Sequence, residues 1–183
     1  MILDGPRLRL RPWREADADA FAALNADPEV MRHFVAPLAR AESDAFLAHI
    51  MRHEAEHGFS FWAVERSGEA APIGLCGLQR VGFAAPFAPA VEIGWRLMPA
   101  HWRQGLAGEA ARLALAAGFG PLGLAEIVAF TVPANERSRR LMERLGMRAA
   151  GGFDHPRLPA GHPLRRHLLY RLARADWAGR HPG

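Results

Sequence analysis

Two hydrophobic periods alternate along the chain, and the points where one gives way to the other mark out its elements. Arg7-Leu-Arg-Leu-Arg11 alternates with period two and predicts a first strand, stopped by Pro12. Residues 15–24 predict a helix, with acidic residues at its start and Phe21 and Leu24 on one face. A second helical piece is predicted over about 28–34. Residues 41–56 again show helical spacing, with Phe46, Leu47, Ile50 and Met51 inward and Gly58 to end the helix. Residues 59–65 and 73–81 predict a hairpin around Ser67-Gly68, and an apolar loop of Pro, Ala and Phe follows over 82–89.

Beyond that loop, strand and helix take turns: a strand over 91–98, a helix from about 105 to 118, and a β-branched strand over 125–132. A helix over 135–145 and closing strands over 147–153 and 167–172 complete the pattern. Hairpins first and strand–helix units afterwards predict a mixed α/β domain over 1–178 with a short tail at 179–183. No repeat and no long linker divides it.

Composition narrows the chemistry. All 23 basic residues are arginine, which excludes Schiff-base lysine chemistry and a Walker-type phosphate lysine. A net charge of +4 suits an acidic ligand but is too diffuse to imply DNA. The one cysteine, Cys76, rules out internal disulfides and cysteine-cluster metal sites, and its apolar run reads as a buried, inert thiol. The N-terminus alternates Arg with Leu where a signal peptide needs an apolar core, and no stretch reaches the ~18 apolar residues of a membrane span. The expectation is a soluble, cytoplasmic protein.

The segment richest in chemistry runs from Ala90 to Ala111. A strand stops at Pro99, a turn with small residues at Gly105, Ala107 and Gly108 follows, and a helix begins at once. Outward N–H groups and peptide dipoles at that helix start form an anion cradle, and small residues let a pyrophosphate approach the backbone. A second junction, Thr131 to Met147, places Asn135 as a helix cap, Ser138 one turn in, and Gly146 at the end. By contrast, the literal G-x-G-x-x-G at Gly118–Gly123 follows a helix and precedes a strand, the reverse of a dinucleotide fingerprint, and reads as a helix stop.

Three histidines, His49, His53 and His57, recur at metal-ligand spacing on one predicted helix. An exposed polar stripe explains them as well, and no metal is expected. His155, His162 and His167 surround the loop at 151–163, as acceptor-cleft lining or as loop surface. The arginine run Arg137, Arg139, Arg140 and Arg144 reads as a solvated helix face or as phosphate contacts. Exposed Phe83, Phe87 or Trp177 would offer a homodimer face.

Taken in order, these segments resemble the GNAT superfamily of acyl-CoA-dependent N-acyltransferases, in particular the branch named for ribosomal-protein N-terminal acetyltransferases (RimJ/RimL-like). The residues that carry the likeness are Arg7–Pro12, Phe61-Trp-Ala-Val64, Ile73–Leu78, Glu92-Ile-Gly94, Gly105–Ala110 and Asn135-x-x-Ser138 through Gly146-Met147. The resemblance implies a single-domain α/β GNAT fold: a mixed, mostly antiparallel sheet with two splayed central parallel strands, flanked by helices. It implies acetyl-CoA as co-substrate, its pantetheine arm beside the backbone near Leu97 and hydrogen-bonded to Asn135. Its pyrophosphate would lie on the amides of Arg103, Gln104, Gly105, Leu106, Ala107 and Gly108. The acceptor would be a peptide N-terminus or a small amine, acetylated directly in a ternary complex.

Two positions depart from the family pattern. Trp102 stands where Gln or Arg often opens the phosphate turn. Met142 stands where many members carry the tyrosine that protonates the leaving thiolate, and Ser138 is the substitute donor in the resembled branch. Glu92 is the candidate base. It shares a strand face with Gly94 and Arg96, and a carboxylate there serves as proton acceptor, in a salt bridge to an arginine, or exposed at a cleft mouth. The alternatives are a non-catalytic CoA-binding or interaction module, and an acyltransferase using another acyl-CoA.

Overall fold

The alternating N-terminal segment does form a strand, with a partner that the pattern did not reveal. In the computed structural model, whose described residues are 1–179, Leu3–Asp4 (β1) folds back antiparallel on Leu8–Arg11 (β2). Ala18–Ala26 (α1) and Arg40–His57 (α2) follow, then Phe61–Arg66 (β3) and Gly74–Arg80 (β4). Next come Val91–Leu97 (β5), Leu106–Phe119 (α3), Glu126–Thr131 (β6) and Glu136–Arg144 (α4). Arg148–Asp154 (β7), Arg166–Ala173 (β8) and Arg174–Ala178 (α5) close the chain. The strands form one mixed eight-stranded sheet in the order β1-β2-β3-β4-β5-β6-β8-β7. The 179–183 tail predicted from sequence falls almost wholly outside the described residues.

Two compact units divide this domain, and β5 and α3 each contribute to both. The first holds Met1–Gln79 and Gly94–Ala114. Its β1 to β4 are an antiparallel meander, and its core gathers Trp13, Phe21, Leu24, Leu47, Ile50, Phe61, Ala63 and Leu75. A buried Arg11–Asp17 pair, bonded at 2.6 and 2.9 Å, fastens β2 to the entry of α1. Gly58, at φ 78°, ends α2 in the left-handed conformation that favours glycine.

Two expectations fail in this unit. Residues 28–34 are successive turns and not a helix, because the Asp27 carboxylate takes the N–H groups of Glu29 and Val30 at 2.8 and 3.0 Å. The histidines of α2 are not a uniform exposed stripe either. His53 is buried with Nδ1 bonded to the Phe59 carbonyl at 2.8 Å, and His49 meets the Gln79 amide at 2.9 Å.

The second unit begins with Arg80–Ile93 and resumes at Leu115. Here β6 pairs antiparallel with β8 along its whole length, and β7 pairs with β8 across a bulge between Ala149 and Gly152. The parallel ladder between β5 and β6 is a single Cα pair, Glu92 opposite Val128. The glycine motif at 118–123 is a helix stop and turn, as expected, with the Leu124 N–H returning to the Gly118 carbonyl. Phe87 and Trp177 are buried, Trp177 with its ring 5.9 Å from that of Phe119, so neither offers the predicted dimer face.

Candidate active site

The turn before α3 is built from the strand end outward. The Trp102 indole N–H donates to the Leu97 carbonyl at 2.7 Å, tying the turn to the last residue of β5. The Gln104 amide donates to the Ala100 carbonyl at 2.9 Å and accepts from Arg66 at 3.1 Å. Arg7 reaches across to the Gln104 carbonyl at 2.9 Å and places its Nε 2.7 Å from the Glu109 carboxylate. Glu109 also accepts the Arg7 backbone N–H at 2.8 Å. The side chains of Trp102, Gln104 and Glu109 are therefore engaged in holding the turn's shape.

That shape leaves the backbone donors without partners in the turn. Arg103 and Gly105 both have left-handed φ, 61° and 78°, and the first i→i−4 bond of α3 runs from Glu109 to Gly105. Among the described residues, none of the N–H groups from Arg103 to Gly108 has a backbone or side-chain acceptor. Residues 103–105 are exposed. A non-glycine residue at positive φ stores strain of ~1–2 kcal/mol, a cost that persists where the surroundings impose it. Consecutive donors without partners in such a turn, at the start of a 14-residue helix, have the chemistry that an anion of phosphate size would use.

In the second unit, Asn135 caps α4 as predicted. Its Oδ1 accepts from the Ser138 N–H at 3.4 Å and its Nδ2 donates to the Thr131 hydroxyl at 3.0 Å. Ser138 is half-buried, and Met142, in the position of the family's tyrosine, is buried at 3% exposure. The one tyrosine, Tyr170 on β8, is also buried. Its hydroxyl donates to Glu143 at 3.3 Å and accepts from Arg139 at 3.5 Å, and this bond raises the Arg139 pKa. Tyr170 thus clamps the helix that Asn135 begins.

Alternation along β5 puts Glu92, Gly94 and Arg96 on one face, with Glu92 half-buried beside the single parallel pair. Arg96 donates to the Asn25 side chain at 2.8 Å and stacks over Phe34 at 4.1 Å and Phe46 at 5.4 Å. A Cβ on Gly94 would stand 3.0 Å from the Phe61 ring, so its close approach is to a core aromatic. Cys76 is fully buried, and burial pushes its thiol above the ordinary range, which removes it as a nucleophile.

Sequence reasoning missed three supports. Arg7–Glu109 links residues 102 apart, and Tyr170 meets α4 from a strand far along the chain, so neither carries a local signal. The third is an aromatic cluster in which Phe83, Phe87, Phe130 and Phe153 pack with His155 and His167: the sequence placed these residues on separate strands and loops and offered the histidines as cleft lining, but gave no sign that they meet.

Comparison with known proteins identifies the family and the fold. The acetyltransferase (GNAT) domain family profile matches residues 7–148. Two Bacillus subtilis proteins are similar: YkkB, 33% identical over 77% of this chain and 81% of its own, and YoaA, described as an N-acetyltransferase, 31% identical over 82% and 84%. A crystal structure of a GNAT-family acetyltransferase from Bacillus anthracis superposes with a TM-score of 0.78 at 26% identity, covering 96% of this chain and 99% of that one. The chain belongs to the GNAT acetyltransferase family. It is an acyl-CoA-dependent N-acyltransferase with the single-domain GNAT fold.

Among the described residues, no helix is long and apolar enough to cross a membrane, and no group of three His, Cys, Asp or Glu could hold a metal ion.

Proposed function

We propose that this enzyme moves the acetyl group of acetyl-CoA to a primary amine, a peptide α-amine or a small-molecule amine, by direct transfer in a ternary complex. The observation that carries the reading is the run of N–H groups without an acceptor from Arg103 to Gly108 at the start of α3, in a chain of this family. They fit a pyrophosphate, and neither a metal nor a lysine is needed there. Leu97 and Asn135 hold the pantetheine arm. The Leu97 carbonyl already accepts the Trp102 indole, so its part is carried by its remaining lone pair.

The chemistry then needs two proton movements. Glu92 takes the ammonium proton, and the amine nitrogen attacks the thioester carbonyl as the C–S bond breaks. The nitrogen sheds its second proton as the tetrahedral adduct collapses, and the Ser138 hydroxyl relays that proton to the departing sulfur, so that a neutral amide and the free CoA thiol leave the site. A thiol of pKa ~8.5 leaves readily, which suits a site with Met142 in place of tyrosine. Trp102 and Ser138 are the features that favour the ribosomal-protein acetyltransferase branch, and with it an α-amine of pKa ~7.7–8.0 as acceptor.

The test is release of CoA thiol from acetyl-CoA in the presence of peptides, polyamines and aminoglycosides, with Glu92→Gln and Ser138→Ala beside the parent. Turnover with one acceptor class that falls in either variant supports the reading. Full turnover in both variants would remove the assigned proton roles, and absence of acetyl-CoA binding would remove the reading itself.

A further inference from the structure

The aromatic–histidine cluster of the second unit has a floor and a rim. Phe87 and Phe153 are buried, whereas Phe83, Phe130, His155 and His167 are half-buried and keep part of their surface in solvent. Ring centroids lie 4.9 Å apart for Phe87–Phe153, 4.5 Å for Phe83–His155 and 5.2 Å for His155–His167. Arg157 straps the two loops that supply the rim. Its guanidinium donates to the Gly82 carbonyl at 2.8 Å and lies 5.8 Å from the Phe83 ring centroid.

Hydrogen bonds assign opposite tautomers to the two imidazoles. His167 Nδ1 lies 3.2 Å from the Arg165 carbonyl, which can only accept, so Nδ1 carries the proton and Nε2 is an acceptor. His155 Nδ1 accepts the Arg157 backbone N–H at 3.3 Å, so its Nε2 is a donor. Burial lowers both pKa values, and His167 and Arg157 beside it lower that of His155 further. One donor and one acceptor over an apolar floor match a peptide amide beside an apolar side chain. Arginine outnumbers acid on the loop at the rim: Arg157, Arg165 and Arg166 stand with Asp154, which pairs with the last two at 3.4 Å each, and the 82–90 loop brings no charged residue.

Building on the acetyltransferase reading above, we propose that this cluster seats the acceptor. It selects a peptide-like amine with an apolar side chain and no second positive charge, and it excludes polyamines and aminoglycosides. Phe83 and Phe130 take the side chain, the His155–His167 pair takes the amide, and the arginine rim repels cations.

The experiment measures kcat and KM at saturating acetyl-CoA for tripeptides with a free N-terminus and an apolar second residue, ending in Glu or in Lys, with spermidine and kanamycin beside them. Acetyl-CoA affinity is measured separately on each variant. The Glu peptide is expected to exceed the Lys peptide and both polycations by at least about tenfold in kcat/KM. Phe83→Ala should raise KM by about tenfold or more with kcat nearly unchanged, and Arg157→Glu should narrow the Glu-over-Lys preference. Acetyl-CoA affinity stays at the parent value in both. Preference for a polycation, or a preference untouched by both substitutions, overturns the proposal. So does normal acetyl-CoA binding with no peptide either acetylated or shifting the His155 and His167 NMR signals. Loss of acetyl-CoA binding in the parent overturns the transferase reading instead.

Discussion

Replacing Glu109 by alanine removes the carboxylate that ties the N-terminal segment to the start of α3. Its side chain is 9% exposed and accepts two bonds, from the Arg7 backbone N–H at 2.8 Å and from Arg7 Nε at 2.7 Å. Orphaning the backbone N–H costs about 1–3 kcal/mol. The ion pair adds at most about 1 kcal/mol, because the Arg7 side chain is 49% exposed and screened. An acid in the first turn of α3 contributes about 0.3–1 kcal/mol through the helix dipole, and alanine's helix propensity returns a few tenths. The net loss is about 2–3 kcal/mol.

Arg7→Ala keeps the backbone bond to Glu109 and loses only the guanidinium contacts, about 1 kcal/mol. Urea unfolding of both variants and the double mutant should therefore rank Glu109→Ala well below Arg7→Ala, with a coupling of about 1 kcal/mol. Acetyl-CoA affinity should fall in both variants, because Arg7→Ala frees the Gln104 carbonyl and Glu109→Ala removes the carboxylate that orients Arg7 toward it. Equal destabilisation by the two substitutions, or affinity unchanged in both, would refute the reasoning.

Further outcomes follow from the same geometry. Burial alone would raise the Asp17 pKa, but the bonds from Arg11 and the Arg14 N–H, with the Arg11 charge, outweigh it and hold the carboxyl low. The stability this confers is present above the unfolded value of ~3.9 and is lost as pH falls through the folded one. Asp17→Asn should cost roughly 3–5 kcal/mol at neutral pH, with the gap to parent closing below about pH 4 in calorimetry. Asn135→Ala should cost about 1 kcal/mol, a Tm fall of roughly 2–4 °C, and should weaken acetyl-CoA binding, whereas Asn135→Asp keeps the cap. Gly94→Ala should destabilise by about 1–3 kcal/mol because its Cβ presses the Phe61 ring, and Phe61→Leu in the same chain should recover part of the loss.

Legibility in the sequence followed the range of the interaction. Helix α2 and its Gly58 stop, the Ser67-Gly68 hairpin, and the Asn135 cap rest on neighbours a few residues away, and all lie where the pattern placed them. The turn at 103–108 was legible as small residues at a helix start, but what holds it open was not. Arg7 and Glu109 look like ordinary surface charges until β2 is laid beside α3. The predicted helix at 28–34 failed because apolar spacing said nothing of the Asp27 side chain, which captures the N–H groups that a helix would need. Phe87 and Trp177 look exposed in a loop and a tail because their covers, Phe153 and Phe119, come from distant strands and helices.

The most direct test of the account compares acetyl-CoA with S-acetylpantetheine, which carries the same thioester without the 3′-phospho-ADP that bears the pyrophosphate, by titration calorimetry on the intact chain. Gly105→Pro is measured beside the parent to remove one turn amide and the left-handed φ that goes with it. Charge-assisted bonds from the Arg103–Gly108 amides at about 1.5–3 kcal/mol each predict acetyl-CoA to bind more than tenfold tighter. Equal affinity for the two ligands, an acetyl-CoA advantage untouched in Gly105→Pro, or no binding of acetyl-CoA, would contradict the claim that this turn holds the cofactor's phosphates.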